Sequence, residues 1–161
     1  MTVKFTTATT KVIREWLKAR GINTSARLFP NESAELEYDA ENNYIRVPGL
    51  YDGCLDDIFV AWLKAHGLKD NFGVIALSIL HEVGHAVTCK YFTDEEWLEC
   101  ATIKEILYKK EDATDEEMGN LYWNVPDEYA ANMWLIMFAN NFPTRVKELS
   151  EKIKATVTMG E

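Results

Sequence analysis

Apolar residues recur along this chain at two different spacings, and the change of spacing marks its segments. Val12, Ile13, Trp16 and Leu17 fall at helical intervals between Thr9-Thr10 and Gly21, which predicts a short amphipathic helix opened by a Thr cap. The period then drops to two. Ala34-Glu35-Leu36-Glu37-Tyr38 and Tyr44-Ile45-Arg46-Val47 alternate, with turn-forming Asp39-Ala40-Glu41-Asn42-Asn43 between them. These runs predict a β-hairpin. Ala26-Arg27-Leu28-Phe29 joins it as a short strand of a small antiparallel sheet, and Pro48-Gly49 is expected to end the hairpin. Leu55 to Gly67 is a second amphipathic helix, with His66 near its C-terminus where a charged imidazole suits the helix dipole.

Phe72 to about Phe92 is a longer apolar run without proline and predicts a buried helix. Thr93-Asp94-Glu95-Glu96 reads as an N-cap and acidic first turn of a helix ending near Lys109-Lys110, its lysines placed where the dipole favours cations. Thr114 to Asn120 has a capping box and opens a weaker helical piece. Pro126 suits the first turn of a helix from Asp127 to about Asn140, apolar nearly all round and so expected to be buried. Pro143 starts a last, exposed helix through about Thr156. The chain contains no repeat or linker. The pattern predicts one α+β domain over residues 1–161, mostly helical, with a small antiparallel sheet before the long central helix.

Composition narrows the function classes. The net charge of -9 at pH 7 repels phosphate backbones and argues against nucleic acid as a partner. No polybasic segment suggests a membrane surface, and Ser78, His81 and Glu82 interrupt the longest apolar stretch, so no membrane span is expected. The N-terminus lacks the pattern of a secretory signal. Three cysteines, Cys54, Cys89 and Cys100, without C-x-x-C spacing suit a reduced cytoplasm.

The chemistry concentrates in His81-Glu82-Val83-Gly84-His85, an H-E-x-x-H motif that holds two of the three histidines. Positions four apart share one helical face, so both imidazoles can reach one Zn²⁺, with Glu82 rotated beside it as a base. The competing reading is two core histidines on an apolar helix. A catalytic zinc needs a third protein ligand. The extended form with Gly at 88 and His at 91 is not present, since Thr88 and Tyr91 stand there. No free His follows the motif, so the third ligand is expected to be a carboxylate. Glu95, Glu96, Glu99 and Glu105 belong to a solvated face, and Glu116 and Glu117 to a helix start. Glu128 opens an otherwise apolar helix, where a carboxylate without a partner costs several kcal/mol. Asn132, one turn on, can hydrogen-bond a ligand histidine. Asp127 is the nearest rival.

His81-Glu82-Val83-Gly84-His85 together with Glu128-Tyr129-Ala130-Ala131-Asn132 resembles the paired motifs of the gluzincins, zinc peptidases with H-E-x-x-H on one helix and E-x-x-x-D/N on a later one. The short chain and the hairpin before the motif helix look like the compact members, the minigluzincins and the ImmA/IrrE-type peptidases. The resemblance implies a zincin-like fold, Zn²⁺ on His81, His85 and Glu128, Asn132 behind them, and Glu82 as base in hydrolysis of a peptide or protein substrate. It also implies a strand edge that holds the substrate, here Tyr44 to Val47, and an oxyanion donor among Tyr129, Tyr122, Tyr91 and His66. The segment Thr93 to Trp123 departs from the family as a long insert between the motifs. The alternative function is a non-catalytic metal-binding regulatory protein, against which Glu82 argues because a structural site has no need of a base.

Overall fold

The computed structural model describes residues 2–159. Its first segment is β1 (Thr2–Lys4), followed by α1 (Thr7–Ala19). Thr6 caps α1, upstream of the Thr9-Thr10 start expected from the sequence, because Thr6 and Thr9 bond reciprocally. The Thr9 N–H donates to Thr6 Oγ1 at 3.4 Å and the Thr6 N–H to Thr9 Oγ1 at 3.0 Å. The inner face of α1 buries Ile13, Trp16 and Leu17.

Three strands follow: β2 (Ser25–Ala34), β3 (Glu37–Asp39) and β4 (Tyr44–Asp52). β3 and β4 form the antiparallel hairpin, with Asp39 opposite Tyr44 and Glu37 opposite Arg46. β2 runs parallel to β4, with Ala26 beside Ile45 and Leu28 beside Val47. The sheet is therefore mixed and not antiparallel as expected. Alternation is the same in both kinds of ladder and carries no information on direction. β4 also continues through Pro48-Gly49, where a stop was expected. Pro48 pairs with Phe29 just where the β2 ladder breaks its register, and Gly49 lies against the Pro30 backbone, where a side chain would clash. Beyond them β4 pairs with β1, and β1 with β5 (Thr158–Met159), giving the order β2-β4-β1-β5.

β4 is thus the central strand. The substrate-holding edge assigned to Tyr44–Val47 is corrected by this finding, because β2 and β3 occupy both sides of that segment. The strand edge beside the motif helix belongs to β3.

The remaining elements are α2 (Asp56–Ala65), α3 (Val74–Thr88), α4 (Asp94–Tyr108), α5 (Asp115–Trp123), α6 (Pro126–Asn141) and α7 (Pro143–Lys154). α3 is shorter than the run that predicts it, and a single 3₁₀ turn, Cys89–Tyr91, follows it. Ile13, Leu17, Ile45, Val47, Leu77, Leu80, Leu135 and Leu149 share one core beneath the sheet and the helices. α7 is less exposed than expected, although Arg145, Lys147, Glu148, Glu151, Lys152 and Lys154 do face outward. It is amphipathic and buries Val146, Leu149 and Ile153. α4 contributes little to the core. Cys100 is its one buried residue among those described, while Leu98 and Ile106 are 68% and 64% exposed. No helix among the described residues is long and apolar enough to cross a membrane.

α3 and α6 meet at Gly84 and Ala131. A Cβ on Gly84 would lie 2.5 Å from the Ala131 carbonyl oxygen and 2.9 Å from its Cα, so the two backbones touch. Gly84→Ala gains about 1 kcal/mol of helix propensity, but overpacking against backbone costs up to about 3 kcal/mol. Strain wins, and the variant should melt about 4–8 °C lower. An unchanged or raised Tm would mean that the helices do not meet there.

Candidate metal centre

The close approach of α3 and α6 brings the two motifs together. His81 and His85 lie one turn apart on α3 and face the first turn of α6, where Pro126 fixes the helix start and Glu128 points inward. Glu128 Oε2 lies 3.0 Å from His81 Nε2 and 2.5 Å from His85 Nε2. One ligand atom from each of the three residues falls within 4.8 Å of the others, and all three residues are buried. Asn132, wholly buried, lies behind: its Oδ1 is 2.6 Å from His81 Nδ1. An imidazole that donates from Nδ1 to Asn132 presents Nε2 towards the carboxylate.

Glu82 lies beside this group. Its Oε1 is 3.8 Å from His81 Nε2, and its Oε2 accepts the Tyr38 backbone N–H at 2.7 Å. β3 thus contacts Glu82 with its free edge. Burial pushes the Glu82 carboxyl above the usual carboxylate range, against the opposing pull of His81 and His85. Glu128 goes the other way. Burial would raise it, but His85 and His81 hold it well below its ordinary value.

The remaining candidates lie elsewhere. Asp127, the nearest rival to Glu128, turns to Lys104 of α4, whose Nζ is 2.6 Å from Asp127 Oδ2. Glu116 and Glu117 are exposed in the first turn of α5, and Glu95, Glu96, Glu99 and Glu105 are exposed on α4. His66 stacks on Trp62 at 3.6 Å, with its Nδ1 2.8 Å from the Trp62 carbonyl. Tyr91 and Tyr129 are exposed at the surface. Of the four expected oxyanion donors only Tyr122 lines the cleft over the metal group. Burial, and then the Glu128 carboxylate beside it, push its phenol far above the ordinary range.

That cleft measures about 590 Å³. Its floor is His81, Glu82 and His85, one wall is the Ala34–Tyr38 segment, and Trp97, Lys104, Tyr108, Met118 and Tyr122 of α4 and α5 roof it. Neither this roof nor a role for Lys104 is among the expectations from the sequence. Trp97, Cys100, Lys104 and Tyr108 recur every three or four residues. A lone cation in such a stripe was the signal available.

No family model matches the chain, and neither curated proteins nor solved structures yield a match. The chemistry of the group therefore stands on its geometry. Two imidazole nitrogens and one carboxylate oxygen, buried and convergent, can hold a metal ion.

Protein stripped of metal by a chelator should show the coupling in its pH dependence. Burial pulls the His81 imidazolium down, but Glu128 and Glu82 outweigh it and hold His81 at about 9, above its ordinary 6.5. A group that binds its proton more tightly when folded stabilises the fold fully below its unfolded value. That stabilisation is lost as pH rises through the folded one. Chelated protein should therefore lose about 2–3 kcal/mol from this group between pH 6.5 and about 9. The urea midpoint reports it. Excess Zn²⁺ should abolish the decline, because a ligating imidazole gives up that proton. A flat profile in the chelated protein would remove the His81–Glu128 pairing.

Proposed function

We propose that the protein is a zinc-dependent metallopeptidase of gluzincin type, similar to the compact minigluzincins and ImmA/IrrE-like peptidases, that hydrolyses peptide bonds. The observation that carries this reading is the convergence of His81, His85 and Glu128 with Glu82 beside them at the floor of one cleft. Two histidines and a carboxylate suit zinc, and the donor set is that of hydrolytic zinc sites. When bound, the ion supplies Lewis acidity, which polarises a carbonyl and acidifies water.

The chain's own residues do the rest. Glu82 accepts a proton from the attacking water and returns it to the leaving amine nitrogen. The Tyr38 N–H on Oε2 leaves Oε1 as the oxygen directed at the reacting groups. Asn132 keeps His81 in one tautomer. With β4 flanked on both sides, an extended peptide finds its backbone partners along Ala34–Tyr38, which already forms the cleft wall.

The test is digestion of an unstructured peptide pool by zinc-loaded protein, read by mass spectrometry. New peptide termini that disappear with chelator and return with Zn²⁺ support the reading. Fully loaded protein that makes none would favour the metal-binding regulatory protein instead.

A further inference from the structure

The roof of the cleft brings a single lysine to the metal group, and its contacts divide the Glu128 carboxylate. Lys104 Nζ lies 3.2 Å from Glu128 Oε1, while Oε2 faces both imidazoles. The same ammonium is 2.6 Å from Asp127 Oδ2, and Asp127 Oδ1 accepts the Glu128 backbone N–H at 2.9 Å. A lysine that only tied α4 to α6 would need Asp127 alone. The contact with Glu128 Oε1 is additional, and it is made where both carboxylates are 4% exposed.

A carboxylate can hold an ion through one oxygen or through both. An ammonium on Oε1 removes that freedom and leaves Oε2 as the one donor turned to His81 and His85. Charge gives a second reason. Glu82, Asp127 and Glu128 bring three negative charges to one buried site, and Lys104 returns one. A divalent ion then makes the group neutral, whereas without Lys104 one negative charge would remain uncompensated away from water.

We propose that Lys104, held by Asp127, is a positioning residue of the metal centre that fixes Glu128 as a one-oxygen ligand. The proposal rests on the metallopeptidase reading for its ion alone, so its test uses the metal and no substrate. Zn²⁺ affinity is measured by competition with a chelator, and the visible spectrum of the Co²⁺-loaded full chain reports the coordination number. Lys104→Met should weaken Zn²⁺ binding about 10–100-fold, as loss of a ligand's own support does. Its cobalt bands should weaken as both Glu128 oxygens engage. Lys104→Ala, which opens a gap onto the cleft, should behave alike and recover affinity and spectrum in propylammonium. It also carries the test if the methionine variant does not fold.

Wild-type affinity and wild-type spectrum in either variant would overturn the proposal while leaving the peptidase reading intact. So would loss of affinity that propylammonium leaves unrepaired. A wild-type chain that takes up neither Zn²⁺ nor Co²⁺ would overturn both.

Discussion

Glu82→Gln protein should load zinc to the wild-type level and hydrolyse peptides about 10²–10⁴-fold more slowly, the usual contribution of a positioned general base. Glutamine keeps the shape of the side chain, so the α3 helix and the neighbouring His81 and His85 need not move. It also keeps a carbonyl oxygen that can accept the Tyr38 N–H, now served by Glu82 Oε2 at 2.7 Å. What it loses is the ability to take and return a proton. The two measurements separate the roles. Retained zinc with lost turnover assigns Glu82 to proton transfer, whereas lost zinc would make it a ligand and reverse that assignment. Unchanged turnover would remove Glu82 from the mechanism altogether.

Glu128→Ala should have the largest effect on the metal and on the fold together. Glu128 is 3% exposed and its Oε2 is shared by two imidazoles. Removing one partner of a buried ionic group leaves the others uncompensated, at about 3–5 kcal/mol. Zinc affinity should fall by more than about 100-fold, beyond the usual loss for a residue that only supports a ligand. A chelated Glu128→Ala sample should also lose most of the stability decline above neutral pH, since Glu128 is the largest influence holding His81 up. Glu116→Ala and Glu117→Ala should change neither zinc binding nor stability, because both side chains are exposed on α5. Wild-type zinc affinity in Glu128→Ala, or a loss in either α5 variant, would move the third ligand elsewhere.

How legible the molecule was depended on which interactions are local. The α3 run and the position of Glu128 at the head of α6 could be read because each is a feature of one helix, an i,i+4 pair or a Pro-led first turn. Their meeting is a long-range contact, expected from the cost of burying Glu128 alone, from Asn132 one turn on and from the resemblance to the paired gluzincin motifs. Strand direction was hidden because β2 and β4 would alternate identically in a parallel or an antiparallel ladder. The role of Pro48-Gly49 was hidden for a related reason. A proline and a glycine signal a stop unless a register break in the neighbouring strand accommodates them, and that break lies in β2. Burial does not follow composition helix by helix. α7 carries many charges, yet its inner face joins the core, and α4 carries many apolar residues, yet leaves Leu98 and Ile106 in water. Lys104 shows the limit most clearly. Its place as the one cation in the Trp97, Cys100, Lys104, Tyr108 stripe is local, but only the arrival of α6 turns it to Asp127 and Glu128, whereas Lys109 just beyond α4 pairs with Glu105 on the surface.

The contact between Gly84 and Ala131 bears on how the two motifs are held together. Gly84 lies between the two histidines in sequence, and Ala131 lies one turn beyond Glu128. With backbone resting on backbone, the two helices cannot approach more closely at this point. The spacing between the two motifs is therefore set by a residue with no side chain, which supplies none of the three donor atoms.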